Sequence, residues 1–276
     1  MFNQIGKMLG PFYFSIGGIG DLFLSLASFY DKMQDQDASF LFWASNPKII
    51  KRILTKENFP KLNKILITQN FLGTQMLQQY YTQVSSQKEY LGSTHIPSGL
   101  RYVDEWSKID NVFEWYKIPR MFEWLKTRFY DETYKDNIVW QPLSSSNNDP
   151  HKEKDMSQKS IEDFLDRYEN SNLILTGSED EIEHIRYKYR YPGIAIDGIT
   201  ESIKAAVSCK EVYSTDSWVK TVSGLCGIPT TIYYYKRKNL PQQFFGNNIQ
   251  CDPADNVFLK NWGFNIIDQY NYGINL

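Results

Sequence analysis

Between residues 136 and 235 the chain alternates short apolar runs with amphipathic segments of helical length, and this rhythm most restricts the fold. DNIVWQPL (136–143), SNLILTGS (171–178), GIAIDG (193–198), KEVYSTDS (210–217) and IPTTIYYY (228–235) read as strands. SIEDFLDRYEN (160–170), EDEIEHIRYKY (179–189), TESIKAAVSC (200–209) and WVKTVSGLCG (218–227) read as the helices between them. Two strands with a helix between them cannot close a hairpin; they lie parallel, with the helix crossing over a sheet face. The amino-terminal part keeps the same pace. PFYFSIGG (11–18), ASFLFWAS (38–45) and KILITQN (64–70) are strands, and DLFLSLASFYDKM (21–33) and NPKIIKRIL (46–54) are helices. Asn46 is placed to cap the second of these, with Pro47 at its first position. Ser160 is the expected cap of the 160–170 helix, with Asp163 at the capping-box position, and acids crowd the first turn of 179–189.

The intervening stretch, 71–131, loses the pattern. Aromatic helical pieces (QMLQQYYTQV and VFEWYKIPRMFEWLKTRFY) flank the polar GSTHIPSGLRY (92–102), which predicts surface helices and a mobile loop where a second substrate binds. SSSNNDPHKEKDMSQKS (144–160) reads as a long polar loop, and PADNVFLKNWGF (253–264) as a closing helix. The expectation is two α/β halves, residues 1–132 and 133–276. A chain of 276 residues accommodates two such domains of roughly 130 residues each.

Composition narrows the function class. The hydrophobic share of 42% and charged share of 22% are those of a globular protein. The net charge of −2 carries no basic surplus, which disfavours nucleic acid as a partner while leaving a local patch open. Cys209, Cys226 and Cys251 form no CxxC and have no histidine nearby, as expected of reduced, buried thiols in a cytoplasmic protein. Asp21 interrupts the apolar stretch near the amino terminus, and no run approaches the roughly 18 apolar residues of a membrane helix. The expected location is the cytoplasm, with peripheral contact at the inner membrane face left open.

Four constellations can carry chemistry. Gly17-Gly18-Ile19-Gly20-Asp21 sits at a strand-to-helix turn, where glycines let backbone N–H groups approach an anion. Gly18 and Gly20 fit the first two places of a dinucleotide fingerprint, but Phe23 fills the third. The acid expected about 20 residues on is replaced by Asn46, which disfavours a nicotinamide cofactor. Asp21 reads equally as a helix cap. In YSTDSWVKTVSGLCGIPT (213–230), a strand ends directly in a small-residue helix. The N–H groups of Ser217, Trp218 and Val219 suit a diphosphate there, and Asp216 suits sugar hydroxyls or caps the helix. Ser144, Ser145 and Ser146, with Lys152 and Lys154, follow the first strand of the second half and complement phosphate, or form a solvated loop. Thr176 and Gly177, in LTGSEDE (175–181), line a nucleobase pocket or simply connect. His95, His151 and His184 form no metal-spaced pair, and GxSxG, Walker and HExxH motifs are absent.

Taken together, these blocks resemble the heptosyltransferase family (glycosyltransferase family 9). GGIGDLFLSLASFY is similar to its amino-terminal G-[DE]-hydrophobic-x-[ST]-x-P-A-L motif. VSCKEVYSTDSWVKTVSGLCGIPTTIYY resembles its carboxyl-terminal segment, where Asn-Asp-[ST]-Gly-Pro-x-His precedes Gly-x-Pro-x-[VI]; Asp216, Ser217, Gly227 and Pro229 fall on matching places. IVWQPLSSS and NLILTGSEDE sit where the family has its HPG and LTGGPxE segments. The family's glycine and histidine become Trp218 and Thr221, and its Pro-Ala-Leu becomes Ala27-Ser28-Phe29, which leaves the donor sugar open.

The resemblance implies an α/β protein of the GT-B type, two Rossmann-like domains with parallel sheets facing across a cleft. The first domain would bind an acceptor, with Gly18, Gly20 and His95 toward the cleft, and the second a nucleotide-diphosphate sugar. Asp21 would be the general base. Ser144, Ser145, Lys152, Lys154, Thr176, Gly177, Asp216, Ser217, Trp218 and Lys220 would hold the donor. No metal or further cofactor is implied, since a helix terminus and basic side chains stabilise the leaving diphosphate. A glycan or another hydroxyl-bearing molecule would be the acceptor, with nucleic acid disfavoured by charge. The alternative is a non-catalytic relative that binds a nucleotide or sugar and serves as an interaction module.

Overall fold

In the computed structural model, which describes residues 5–35, 37–44, 46–60, 64–69, 82–93, 123–144, 155–169, 171–215, 217–234 and 265–268, every strand pairing is parallel. The described chain divides into two compact units, residues up to Ser93 in one and from Glu123 onward in the other.

In the first unit, β1 (Phe12–Gly17), β2 (Ser39–Ala44), β3 (Ile65–Gln69) and β4 (Tyr90–Ser93) pair in the order β3-β2-β1-β4. β1 and β2 are buried along nearly their whole length, as continuous apolar runs predict for strands covered on both faces. Phe12, Phe14 and Ile16 alternate onto one face of β1, where they pack with Leu41, Trp43 and Tyr90 around Ile5 and Leu9 of the helix Ile5–Leu9. Ser15 points to the other face. There the Ser25 hydroxyl, on the helix Ile19–Asp35, sits 2.6 Å from Ser15 Oγ and 2.7 Å from the Asp21 carbonyl. Asn46 caps the helix Pro47–Ile53 as expected, its Oδ1 accepting the Ile49 N–H at 3.4 Å. β4 lies in the stretch read as surface helix and loop. Its YLGS holds two adjacent apolar residues before Gly92, too few to mark a strand beside a polar segment.

The second unit holds β5 (Ile138–Gln141), β6 (Leu173–Thr176), β7 (Ile194–Ile196), β8 (Glu211–Ser214), β9 (Thr230–Tyr234) and β10 (Asn265–Asp268). Their order is β10-β9-β8-β5-β6-β7, the doubly wound order in which the chain runs outward from a central strand, returns, and runs outward on the other side. The first unit repeats its opening part, with β4 across β1 from β2. The core of the second unit gathers on Trp140, which is fully buried and stacked on Phe164 at 4.9 Å and 19°. Its Nε1–H points at Met156 Sδ, 3.3 Å away. Phe164 also meets Tyr213, whose hydroxyl bonds Tyr168 and donates to Glu211 at 3.0 Å.

One local expectation differs from the structure. The helix beginning near 160 runs Gln158–Tyr168; its cap is Ser157, whose Oγ accepts the Ser160 N–H at 3.0 Å, and Ser160 is buried in the first turn. Met156, held under Trp140, fixes the helix start earlier than the local pattern placed it. The helix Glu123–Phe129 and the short 3-10 turn Glu132–Tyr134 pack on the helix Ile199–Ser208 of the second unit. The Asp131 N–H donates to Ser208 Oγ at 2.8 Å, and Tyr134 reaches Glu201 at 3.2 Å. These residues thus belong to the second unit. The closing helix expected over 253–264 lies outside the described residues, while residues 265–268 add β10 beside β9.

Cys209 and Cys226 are buried, and burial pushes both thiols up to about 12, which makes them packing groups rather than nucleophiles. Among the described residues no helix is long and apolar enough to cross a membrane.

Candidate functional site

In doubly wound sheets a ligand crevice opens at the carboxyl ends of the strands where the winding direction reverses. That point lies between β1 and β4 in the first unit and between β5 and β8 in the second.

At the end of β1, Gly17 has φ +135°, a conformation that side chains resist, and a Cβ there would overlap the Asp21 carboxylate. The Gly18 N–H donates to Asp21 Oδ2 at 2.9 Å, and the Leu22 N–H to the Gly18 carbonyl at 3.1 Å. Asp21 therefore closes the amino end of its helix as the reaching-back half of a capping box. It is also half-exposed, at the carboxyl end of β1. Gly20 is the second residue of the helix rather than part of a loop. His95 lies outside the described residues.

The second unit repeats this device. Gly177, after β6, leaves room that a Cβ would lose to Glu181, and the Ser178 N–H donates to Glu181 Oε2 at 2.7 Å in a full capping box. Thr176 is buried, and its hydroxyl donates to Ser202 Oγ at 2.7 Å, tying β6 to the helix Ile199–Ser208. Glu181 was absent from the expected site, although S-x-x-E at 178–181 is the legible signature of such a box. Burial holds its carboxyl above the usual 4.5, with Asp155 and Asp180 adding repulsion and the Ser178 hydrogen bonds acting against the rise. A carboxyl raised on folding stabilises fully below its unfolded pKa, and that contribution is lost as pH rises through the folded value. Glu181→Gln has no such loss. The melting temperature of this variant minus that of wild type is expected to increase between pH 4 and pH 7, and a flat or falling difference in thermal melts would contradict the assignment.

The crevice between β5 and β8 gathers polar groups from both strand ends. Gln141 and Ser214, the last residues of β5 and β8, face each other in register. The Thr215 N–H donates to the Gln141 carbonyl at 3.1 Å. Ser217 precedes the helix Trp218–Leu225 with the extended backbone of an N-cap but makes no side-chain capping bond. Its hydroxyl donates instead to Gln141 Oε1 at 2.5 Å and lies 2.9 Å from Ser214 Oγ. Its own N–H is donated to the Thr215 carbonyl at 2.8 Å, and Val219, also expected to face an anion, is fully buried. Thr215 is fully buried, and its Oγ1 has no hydrogen-bond partner among the described residues. Trp218 and Lys220 are half-buried in the first turn of the helix.

Ser144, just beyond β5, donates its N–H to Asp155 Oδ1 at 2.8 Å, which draws the start and end of the polar 144–160 segment together. Ser145, Lys152, Lys154 and Asp216 lie outside the described residues. Sequence reasoning missed Gln141, Thr215 and Asp155. Only Gln141 had a signal, a polar residue closing an otherwise apolar strand.

No family model matches the chain, and no curated protein matches it in sequence. Solved structures do match. E. coli heptosyltransferase WaaC with ADP-2-deoxy-2-fluoro heptose aligns with a TM-score of 0.50 at 9% identity, over 84% of this chain and 91% of that one. The glycosyl transferase family 9 protein of Veillonella parvula aligns over 97% of this chain and 89% of its own, with a TM-score of 0.47 at 10% identity. The E. coli ADP-heptose lps heptosyltransferase II aligns over 93% and 89%, with a TM-score of 0.48 at 12% identity. The likeness to WaaC is one of fold, and with two parallel-sheet units it gives this chain an α/β fold of the GT-B type.

Proposed function

We propose that the protein is a glycosyltransferase that moves a sugar from a nucleotide-diphosphate sugar to an acceptor hydroxyl, without a metal. The observation that carries the proposal is the amino end of the helix Trp218–Leu225: it lies at the strand reversal between β5 and β8, and its N-cap hydroxyl is turned away. Backbone N–H groups in that position suit a diphosphate, and Lys220 in the first turn adds positive charge. The ADP-2-deoxy-2-fluoro heptose of the WaaC structure is a donor of this class.

In the proposed reaction, the Asp21 carboxylate takes the proton of the acceptor hydroxyl. The acceptor oxygen bonds the anomeric carbon, and the bond from that carbon to the diphosphate oxygen breaks. The diphosphate leaves with the electron pair, and the helix N–H groups and Lys220 stabilise its charge. Ser144, Ser145, Lys152, Lys154, Gly177 and Asp216 complete the proposed donor set, with Gly18, Gly20 and His95 on the acceptor side. The buried Thr176 hydroxyl, committed to Ser202, serves the donor site by holding the end of β6.

A second reading draws on Thr221. It stands where the family pattern has histidine and is only 4% exposed, which favours a nucleotide- or sugar-binding relative without transfer activity.

Thermal melting with ADP-, UDP-, GDP- and CDP-linked sugars tests the class. A ligand at a hundred times its dissociation constant is expected to add about 2.7 kcal/mol. No stabilisation by any nucleotide sugar sinks both readings, and stabilisation without release of nucleoside diphosphate selects the second.

A further inference from the structure

We propose that the outer edge of the second sheet is a self-association surface, on which a second copy of this chain pairs through a two-fold axis along β7 and the helix Glu179–Tyr189. The charges of that helix carry the inference. Glu179, Glu183, Arg186 and Arg190 follow one another at intervals of four, three and four residues, so they form one stripe along the helix and its C-cap. All four are exposed. The stripe is acidic in its first half and basic in its second. Glu179 and Arg190 are equally far from the midpoint between His184 and Ile185, and so are Glu183 and Arg186. Turned end for end, the stripe therefore presents the opposite charge at every position. Two copies laid antiparallel set Glu179 of each against Arg190 of the other, and Glu183 of each against Arg186 of the other. Every pair then forms twice, which is the self-complementarity a two-fold interface requires.

The charges are not satisfied within the chain. Among the described residues none of the four has an ion-pair partner, although Glu183 and Arg186 stand one turn apart. Arg186 instead donates from Nη2 to the Gly193 carbonyl at 3.3 Å, just ahead of β7, which sets this side of the helix toward the sheet edge. The helix dipole favours acids first and bases last, but it is indifferent to the side of the helix on which they stand. Arg190 has a left-handed backbone, φ 52° and ψ 36°, a C-cap conformation that favours glycine, so an arginine is held there at some cost in strain. A second, independent feature asks for the same partner. Among the described residues β7 pairs only with β6, and its Ile194 is 62% exposed. Folded proteins seldom leave an apolar edge strand uncovered, because its outward N–H and C=O groups template another strand. The crossover between parallel strands makes the helix run opposite to β7. One two-fold axis normal to the sheet therefore sets β7 antiparallel to its copy and the charge stripe antiparallel to its copy together.

Sedimentation velocity of the full chain, over about 1 to 100 µM protein, is expected to show a monomer–dimer equilibrium that weakens several-fold between about 50 mM and about 500 mM salt. Glu183→Arg and Arg186→Glu each set like charges face to face twice, and each variant alone is expected to dimerise at least about tenfold more weakly. An equimolar mixture of the two restores both contacts and is expected to give a heterodimer about as tight as the wild-type homodimer. Ile194→Lys places a charge on the edge strand and is expected to weaken self-association by at least about tenfold.

A wild type that stays monomeric up to about 100 µM at low salt overturns the proposal. So does a mixture that stays monomeric when circular dichroism shows both variants folded. Dimerisation that survives the charge reversals and Ile194→Lys also overturns it, since the copies would then meet elsewhere. Should Arg186→Glu not fold once its bond to Gly193 is lost, Glu179→Arg and Arg190→Glu repeat the test on the outer pair, alone and mixed. Weak association of each alone with recovery in the mixture supports the two-fold arrangement, and equal loss in all three samples overturns it. None of these residues belongs to the proposed donor or acceptor groups, so the transferase reading stands or falls separately.

Discussion

Asp21→Asn is expected to cut sugar transfer by about 10²- to 10⁴-fold, the usual contribution of a positioned general base. The substitution is chosen because the fold tolerates it. Asparagine retains an oxygen to accept the Gly18 N–H, now made at 2.9 Å, so the turn after β1 and the helix Ile19–Asp35 keep their geometry. What is lost is the carboxylate's capacity to take a proton. The donor groups proposed here belong to the second unit, so stabilisation by a nucleotide sugar should be unaltered while release of nucleoside diphosphate falls. Transfer within about tenfold of wild type would relegate Asp21 to its capping role. Loss of donor binding together with transfer would show that the substitution acts through structure.

Trp140→Ala is the largest expected effect on stability, about 3–5 kcal/mol. The indole is fully buried on the central strand of the second sheet, stacks on Phe164 and meets Tyr191 edge-on at 6.0 Å. Truncation removes these ring contacts, leaves Met156 without the indole above it, and opens a cavity that flanking strands cannot close. Denaturant unfolding followed by fluorescence of the remaining tryptophans and by circular dichroism measures the loss. A change below about 1 kcal/mol would mean that the site collapses around the alanine and that the core does not depend on the ring.

Much of the fold was legible because parallel sheets write their signature locally. Buried strands such as β1 and β2 are unbroken apolar runs, and the helices between them carry caps, as Asn46 and Ser178 do, that a few neighbouring residues specify. β4 and β10 escaped because each holds only two adjacent apolar residues and neither stands between two segments of helical pattern, the framing that marked the equally short β8. The cap at Ser157 escaped for another reason: two serines three apart both satisfy the local rule. Contact between Met156 and Trp140 in β5 selects the first. Among candidate site residues, Asp21 and Ser217 were visible at strand-to-helix turns, but their bonding was not. Asp21 was readable as either cap or base, and its hydrogen bond to Gly18 realises the first role without removing the second. Ser217 was readable as a donor of its N–H to an anion, and that N–H goes to the Thr215 carbonyl.

The amino-acid sequence by itself determined the class of fold, since apolar runs separated by helix-length amphipathic segments permit a parallel sheet and little else. It also marked the hand-over from strand to helix after β1, β2 and β6, because glycines, serines, asparagines and carboxylates at those turns act within four residues of themselves. Only the tertiary structure decided which strand ends meet. β8 lies against β5 because the chain reverses its winding after β7, and that reversal brings Gln141 to Ser217 over 76 residues of sequence. No spacing rule spans such a distance: the contact depends on strand order, which the packing of the whole sheet selects.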